Sequence, residues 1–454
     1  MPNPRAIAFR VLLKIEQDGA YSNLALNHAI RENKLGGVDS AFVSALVYGV
    51  LERKITLDYI IKQYSKIPLR KIELKTKIIL RMGIYQLLFM DKVPDSAAVN
   101  ESVILAKKQR MQQSAGFING ILRSITRTEP PYRLPDESDK PYFLSIKYAV
   151  PQELVRLWLA SYGESNTEQL LQSLSGRPQL FIRVNTLKTD RDSLKAALEQ
   201  EGVVCEDVPV LPNALSLSHT GAIERLAAYR QGLFHVQDLS SQLCVEMLSP
   251  QPRQVVHDVC AAPGGKAFTS AQYMQNRGKL YACDLFDHKL KLIRDGAQRL
   301  GITAVVAGKR DAATGMPLPT ADRILCDVPC SGLGILSRKP EIRSKSDLIP
   351  QELPALQYQI LCHSAENLAV GGRLVYSTCT LNPAENGENV RRFLSEHPNF
   401  RGEVLRLPNG VCRAFDEQPH EITLMPHTAG TDGFYLAALL RERRYSQRKV
   451  GGAE

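Results

Sequence analysis

From about Ser240 the chain settles into repeated units, each a short apolar run followed by an amphipathic stretch. Apolar runs too short for helices fit strands buried on both faces. Strands that alternate with helices imply a parallel, doubly wound sheet. The predicted strands are 255–259, 280–283, 304–306, 324–326 and 373–377, with helices at 268–275, 289–300, 353–368 and 386–394. A last apolar run at 434–440 adds a terminal strand. Ligands of such sheets sit beyond the carboxyl ends of the strands, so chemistry is expected just after each run.

Those positions are unusual. The run Ile324-Leu325-Cys326 stops at Asp327-Val328-Pro329-Cys330-Ser331-Gly332. A carboxylate and a thiol on a stiff turn make Cys330, taken alone, a candidate nucleophile. The first strand ends in His257-Asp258-Val259, then Cys260, Ala261, Ala262, Pro263, Gly264, Gly265 and Lys266. A glycine pair before a helix lets the backbone approach a ligand at the helix N-terminus. Asp284 ends the second strand, where an acid can accept bonds from ribose hydroxyls. Asp311 follows the third and Asp327 the fourth. One Asp after a strand is commonly a turn residue, so the ordered set carries the weight. The loop lacks both G-x-G-x-x-G and the Walker pattern, which disfavours NAD and ATP. S-adenosylmethionine, an adenosine cofactor without a phosphate tail, fits. After Gly371-Gly372 a further strand ends in Thr378-Cys379-Thr380, a second thiol on the same edge. A lone Cys is usually a small core residue, but both thiols follow strands and are flanked by hydroxyls.

Residues 5–128 read as helices throughout. Ala8, Leu12 and Ile15 share a face, as do Val43, Leu46, Val47 and Val50, then Ile78, Met82, Tyr85 and Phe89, then Phe117, Ile121, Leu122 and Ile125. The most apolar run, 78–90, is interrupted by Arg81 and is too short to span a membrane. Residues 1–130 hold 20 Lys/Arg against 11 Asp/Glu, while the remainder is nearly balanced. A basic module beside a neutral one suggests phosphate contact, with Lys107, Lys108, Arg110, Arg123 and Arg127 as candidates. The domain division is therefore a helical bundle at 1–128, a proline-rich linker at 129–141, a small α/β segment at 142–239, a catalytic domain at 240–445 and a tail at 446–454. The basic run Arg441-Glu442-Arg443-Arg444, with Arg448-Lys449, reads as a weakly held end. Nine cysteines without regular spacing argue against a disulfide framework and for a reducing, cytoplasmic setting. With no C-x-x-C and no His–Cys cluster, no metal is expected.

The runs DVCAAPGGK (258–266), DVPCSG (327–332) and STCT (377–380) resemble the RNA 5-methylcytosine methyltransferases. Separately, VPDSAAVNESVILAKK (93–108) and AGFINGILRSI (115–125) resemble the transcription antitermination factor NusB. The resemblance implies a multidomain protein: an all-α NusB-like RNA-binding bundle, a small α/β RNA-guiding domain, and a Rossmann-like S-adenosylmethionine-dependent methyltransferase domain. It implies 5-methylation of a cytidine in 16S rRNA. Residues 260–266 then form the cofactor loop, Asp284 holds the ribose, Asp311 sits beside the adenine, and Asp327 contacts cofactor and cytosine. Cys379 becomes the nucleophile and Cys330 the group that aids release. Val328, Ala267 and the pair Arg343-Ser344 depart from the family pattern, which bears on loop packing or RNA contact rather than on the reacting groups.

The chemistry asks for these groups. Carbon 5 of cytosine is a weak nucleophile until a thiolate adds at C6. An acid at N3, the role open to Asp327, stabilises the charge formed, and a second group must help the C5 proton leave before the thiol is expelled. The expected partner is RNA, chiefly 16S rRNA of an unassembled or partly assembled small subunit, bound by a monomer that uses neither DNA nor a membrane. Three alternatives stay open: a tRNA substrate, a DNA-type enzyme with Cys330 as nucleophile, and a non-catalytic RNA-binding factor. The second thiol opposes the DNA-type reading, and the intact acid set opposes the non-catalytic one.

Overall fold

The computed structural model describes residues 3–176, 178–316 and 318–442, so Arg443, Arg444, Arg448 and Lys449 lie outside the described residues. The chain divides into two compact units, Met1–Arg177 with Leu336–Leu348, and Pro178–Ile335 with Ile349–Glu454. The segment predicted as one middle region from 142 is thus shared between them.

The first unit is helical: α1 (Pro4–Asp18), α2 (Ser22–Glu32), α3 (Gly37–Glu52), α4 (Lys54–Tyr64), α5 (Leu74–Phe89), α6 (Asp95–Lys108), α7 (Gln112–Ile125), α8 (Lys140–Tyr148) and α9 (Gln152–Ser173). The predicted apolar faces form its core, except that Tyr85, Phe89 and Phe117 are only half-buried and Ile118 takes the inner position on α7. Helices α3 and α5 approach closely because Gly49 has no side chain. A Cβ there would lie 1.9 Å from the Tyr85 ring. Arg81, the interruption in α5, is buried and paired: its guanidinium donates to both Asp58 oxygens at 2.7 and 2.8 Å and to Glu16 at 3.3 Å. The candidate RNA-binding cations Lys107, Lys108, Arg110, Arg123 and Arg127 are all exposed.

Leu336–Leu348 joins this helical unit although it follows the Asp327–Gly332 turn in sequence. The reason is Arg343, which is 5% exposed. Its Nη1 donates to the carbonyls of Glu52 (3.0 Å) and Ala149 (3.2 Å), and its Nη2 to that of Leu174 (3.2 Å). These carbonyls lie at the C-terminal ends of α3, α8 and α9, where carbonyls lack intrahelical partners and the helix dipole is negative. One cation therefore closes three helices, and loop packing, not RNA contact, explains Arg343.

The second unit opens with β1 (Leu180–Val184), α10 (Arg191–Gln200), β2 (Val204–Asp207), β3 (Ala214–Ser218), α11 (Ala227–Arg230) and β4 (Phe234–Val236). Its four strands form an antiparallel sheet in the order β2-β3-β1-β4. There follow α12 (Leu239–Leu248), β5 (Val255–Asp258), α13 (Gly265–Tyr273), β6 (Lys279–Asp284), α14 (Asp287–Leu300), β7 (Val305–Lys309), β8 (Ala321–Asp327), α15 (Leu353–Glu366), β9 (Leu368–Thr378), α16 (Gly387–Glu396), β10 (Phe400–Gly402), β11 (Glu421–Leu424), α17 (Pro426–Ala429) and β12 (Phe434–Arg441). The large sheet runs β10-β12-β9-β8-β5-β6-β7, with β11 paired to β12.

Strands β5 to β9 are parallel, as predicted. The terminal strand departs from that pattern: β12 lies antiparallel to β9, β10 and β11, which makes the sheet mixed. Strand order reverses direction at β5, whose neighbours are β6 and β8. Crossovers from β5 and β8 leave on opposite sides of such a point and open a crevice between their loops.

Candidate active site

The register of β8 against β9 places Asp327 opposite Ser377. Ser377 Oγ donates to Asp327 Oδ1 at 2.9 Å. Both strands then turn into their cysteine loops, and Gly334 N donates to Cys379 O at 3.0 Å. The outcome is a direct thiol contact, with Cys330 Sγ 3.3 Å from Cys379 Sγ. Both are free cysteines and neither is fully buried as a residue. The Cys330 thiol is held well above its usual range, first by its hydrogen bond to Cys379 and then by burial.

The loop after β5 is built for close approach. Gly264 has φ +113°, and a Cβ there would lie 2.4 Å from the Phe268 ring. Gly264 N donates to Ala261 O at 2.7 Å, and Ala261 N to Cys283 O at 2.7 Å, which ties the loop to β6. Helix α13 then begins without a side-chain cap, and the first N–H groups of a helix have no intrahelical acceptor. Burial, chiefly, pushes the Cys260 thiol well up. Lys266 turns from the helix start into the site, and its Nζ lies 2.8 Å from Asp327 Oδ2 and 3.1 Å from Ser241 Oγ. Burial acts most strongly, to lower the pKa of Lys266, but the charge and hydrogen bond of Asp327 together with the neighbouring Cys244 and Asp258 outweigh it and hold the ammonium above its usual range.

Three further acids line the strand ends. Asp258, at the end of β5, is 2% exposed, and neither of its carboxylate oxygens has a hydrogen-bond partner. Burial, then the neighbouring Asp327 charge, pushes it up to about 7. Asp284 is buried at the end of β6, where Oδ1 accepts from Phe286 N at 3.2 Å and meets Lys289 at 3.5 Å. Asp311 is exposed and bonded within its own turn, to Ala313 N at 2.8 Å and Thr314 Oγ1 at 3.0 Å. The backbone bond from Ala313 is the first cause that lowers its pKa. A buried acceptor pair without donors at Asp258, a second acid at Asp284 and a glycine loop at a helix start suit the hydroxyls and amine of an adenosine group.

Behind both thiols lies Glu385, which is fully buried. It accepts from Ser331 N (2.9 Å), Ser331 Oγ (2.5 Å), Asn382 Nδ2 (2.9 Å) and Gln357 Nε2 (2.8 Å). Asp258, Ser377 and Glu385 are parts of the site that sequence reasoning did not single out. Asp258 was legible as the last residue of a strand preceding the glycine loop. Glu385 had only its position in Asn382-Pro383-Ala384-Glu385-Asn386, six residues after Cys379.

Comparisons with known proteins agree with this architecture. The family described as 16S rRNA methyltransferase RsmB/F matches residues 245–440, the NusB family matches 2–127, and an RsmF/B-like ferredoxin-like domain matches 150–224. A Bacillus subtilis protein named probable ribosomal RNA small subunit methyltransferase B is 36% identical over 445 residues, covering 96% of this chain and 98% of its own. The ribosomal RNA small subunit methyltransferase B of Erwinia tasmaniensis is 31% identical, covering 97% of this chain and 99% of its own. Among solved structures, that of the protein PH0851 superposes with a TM-score of 0.81 at 25% identity, over 97% of this chain and 99% of that one.

Proposed function

The chain belongs to the ribosomal RNA small subunit methyltransferase B family, an S-adenosylmethionine-dependent family, and on that premise we propose that it methylates carbon 5 of a cytidine in 16S rRNA through a covalent bond from Cys379 to C6. The observation that carries this reading is the 3.3 Å contact between Cys330 and Cys379 beside the Lys266–Asp327 pair. A single structural cysteine needs neither neighbour.

Asp258, Asp284 and the loop from Cys260 to Lys266 are the groups that would hold the cofactor. When bound, S-adenosylmethionine supplies an electrophilic methyl group on a sulfonium.

The remaining work falls to the chain's own residues. The Cys379 thiolate is the attacking species, and the Cys330 S–H, donating to its sulfur, stabilises the negative charge. The bond from sulfur to C6 forms as the C5–C6 π pair moves into the ring, which raises electron density at C5. Charge appears at N3, where Asp327 makes contact. The proton that the Lys266–Asp327 pair carries, held on Lys266, is drawn toward N3. Once C5 has gained its methyl group, its proton must leave. Cys379 sulfur is by then bonded to carbon, so the first cause of the raised Cys330 pKa is gone. Cys330 can then release its own proton to solvent and, as the thiolate, take the C5 proton; the C5–H electron pair re-forms the C5–C6 double bond as the C6–S bond breaks and Cys379 leaves as a thiolate.

The target base must leave its stack to reach such a site. The exposed cations of α6 and α7 are the proposed grip on the surrounding phosphates. Bisulfite mapping of 16S rRNA from cells lacking this chain, then complemented with it, tests the substrate. One cytidine that loses and regains its methyl group supports 16S rRNA. Unchanged 16S rRNA with an altered tRNA position refutes it.

A further inference from the structure

The two thiols touch although they sit on different loops, and something must set that distance. Hydrogen bonds beside Cys330 end on one buried carboxylate, and those beside Cys379 reach its neighbours Ser331 and Asn386. Ser331, next to Cys330, donates to Glu385 through both its backbone N–H and its hydroxyl. Pro329, on the other side of Cys330, is held through its carbonyl by Gln357 Nε2 at 2.9 Å, and the same Nε2 reaches Glu385. Ser331 has spent its only hydroxyl proton on Glu385, so Thr380, next to Cys379, must donate across the 2.7 Å Ser331–Thr380 contact. Asn386, the residue after Glu385, accepts from Thr378 Oγ1 at 2.6 Å and donates to Thr380 O at 3.0 Å.

Among the described residues Glu385 forms no ion pair. A buried anion balanced by neutral donors alone is an expensive tie where packing alone would hold two loops. An amide of the same shape cannot replace it, because the Gln NH2 would face N–H or O–H donors. We infer that Glu385 is a positioning residue that holds the Cys330 and Cys379 loops at their working separation by accepting hydrogen bonds from the flank of one loop and, through Ser331, from the other. It touches neither substrate nor cofactor. Its negative charge also contributes to holding the Cys330 proton in place.

This inference rests on the two-thiol reading above. The test is Glu385→Gln in the full-length protein. Binding of S-adenosylhomocysteine and KM for the RNA should stay within about twofold, while kcat falls on the order of 10²-fold, the loss expected from an ångström-scale misplacement. In a Cys330→Ala background, adduct formation should slow by the same factor. Alkylation of Cys330 by a neutral reagent should shift to lower pH, because an anion has been removed, and Glu385→Asp should restore part of kcat. Unchanged kcat in Glu385→Gln would overturn the inference. If that variant does not fold, Ser331→Ala removes the shared hydroxyl alone. It should lower kcat about tenfold with cofactor affinity intact, and normal turnover there is equally decisive against it. Activity persisting in Cys379→Ala would instead sink the two-thiol reading. A trapped adduct in Cys330→Ala beside a fully active Glu385→Gln would sink only the inference.

Discussion

Lys266 and Asp327, 61 residues apart, meet at 2.8 Å across the point where the sheet changes direction. The first starts the helix after β5 and the second ends β8. The pair joins the loop after β5 to the cysteine loop, so under the proposed mechanism a lesion at Lys266 reaches both the proton supply and the charge balance of the site. Lys266→Met should lower kcat by about 10²-fold or more while the protein remains folded. Steady-state kinetics with the target RNA, run beside a thermal melt, decides it. A variant within threefold of normal kcat would remove Lys266 from the proton path.

Gly264 should tolerate no side chain. Its φ of +113° is left-handed, and a Cβ would enter the Phe268 ring. Gly264→Ala should cost about 2 kcal/mol of stability and weaken S-adenosylhomocysteine binding about tenfold, the loss of one good contact. Titration calorimetry reads the second quantity. Unaltered affinity would mean that this turn does not shape the cofactor site.

Asp258 gives a pH signature. Its carboxyl is pushed up to about 7 in the folded chain, against about 3.9 unfolded. Between those values the folded state holds a proton that the unfolded state has released, so stability falls as pH rises from about 4 to about 7 and levels above that. The loss is of order 4 kcal/mol if Asp258 acts alone. Asp258→Asn removes this slope. Urea unfolding of the cofactor-free protein should show the variant gaining on the parent steadily across that window. A difference that stays constant with pH would show that Asp258 is ionised throughout.

Much of the catalytic domain was legible in sequence because strands buried on both faces announce themselves as apolar runs, and the loops between them carried Asp327, Cys330 and Cys379. The antiparallel entry of β12 was not, because a run such as Phe434–Arg441 has no direction written in it. Strand β3 and helix α12 went unpredicted. The alternating Leu and Ser of β3 are short, and α12 is buried nearly all round, which erases helical periodicity. Arg81 read only as an interruption of an apolar run and Arg343 only as a departure from the family pattern. Their partners, two acids in one case and three helix ends in the other, come from distant segments. Glu385 was hidden for the same reason: its meaning lies in Ser331 and Gln357, not in its neighbours along the chain.

Arg343 also sets an expectation for stability. Burial lowers its pKa to about 10, so it stays charged at neutral pH. Arg343→Ala would leave four carbonyls at three helix ends without their donor and open a cavity. A loss of about 3 kcal/mol is expected, seen as an earlier unfolding transition by calorimetry. Arg343→Lys should recover less than half, because one ammonium cannot span the carbonyls at three helix ends that a planar guanidinium reaches. Full recovery by Lys would show that charge, not geometry, is what the helix ends require.

The two-thiol chemistry is tested most directly by a denaturing gel of the Cys330→Ala protein incubated with S-adenosylmethionine and target RNA. Attack by Cys379 without assisted release should leave a denaturation-resistant protein–RNA species that builds up with time and is absent from Cys379→Ala. If Cys330→Ala forms no such species while Cys379→Ala still methylates RNA, the nucleophile is Cys330 and the assigned roles are reversed.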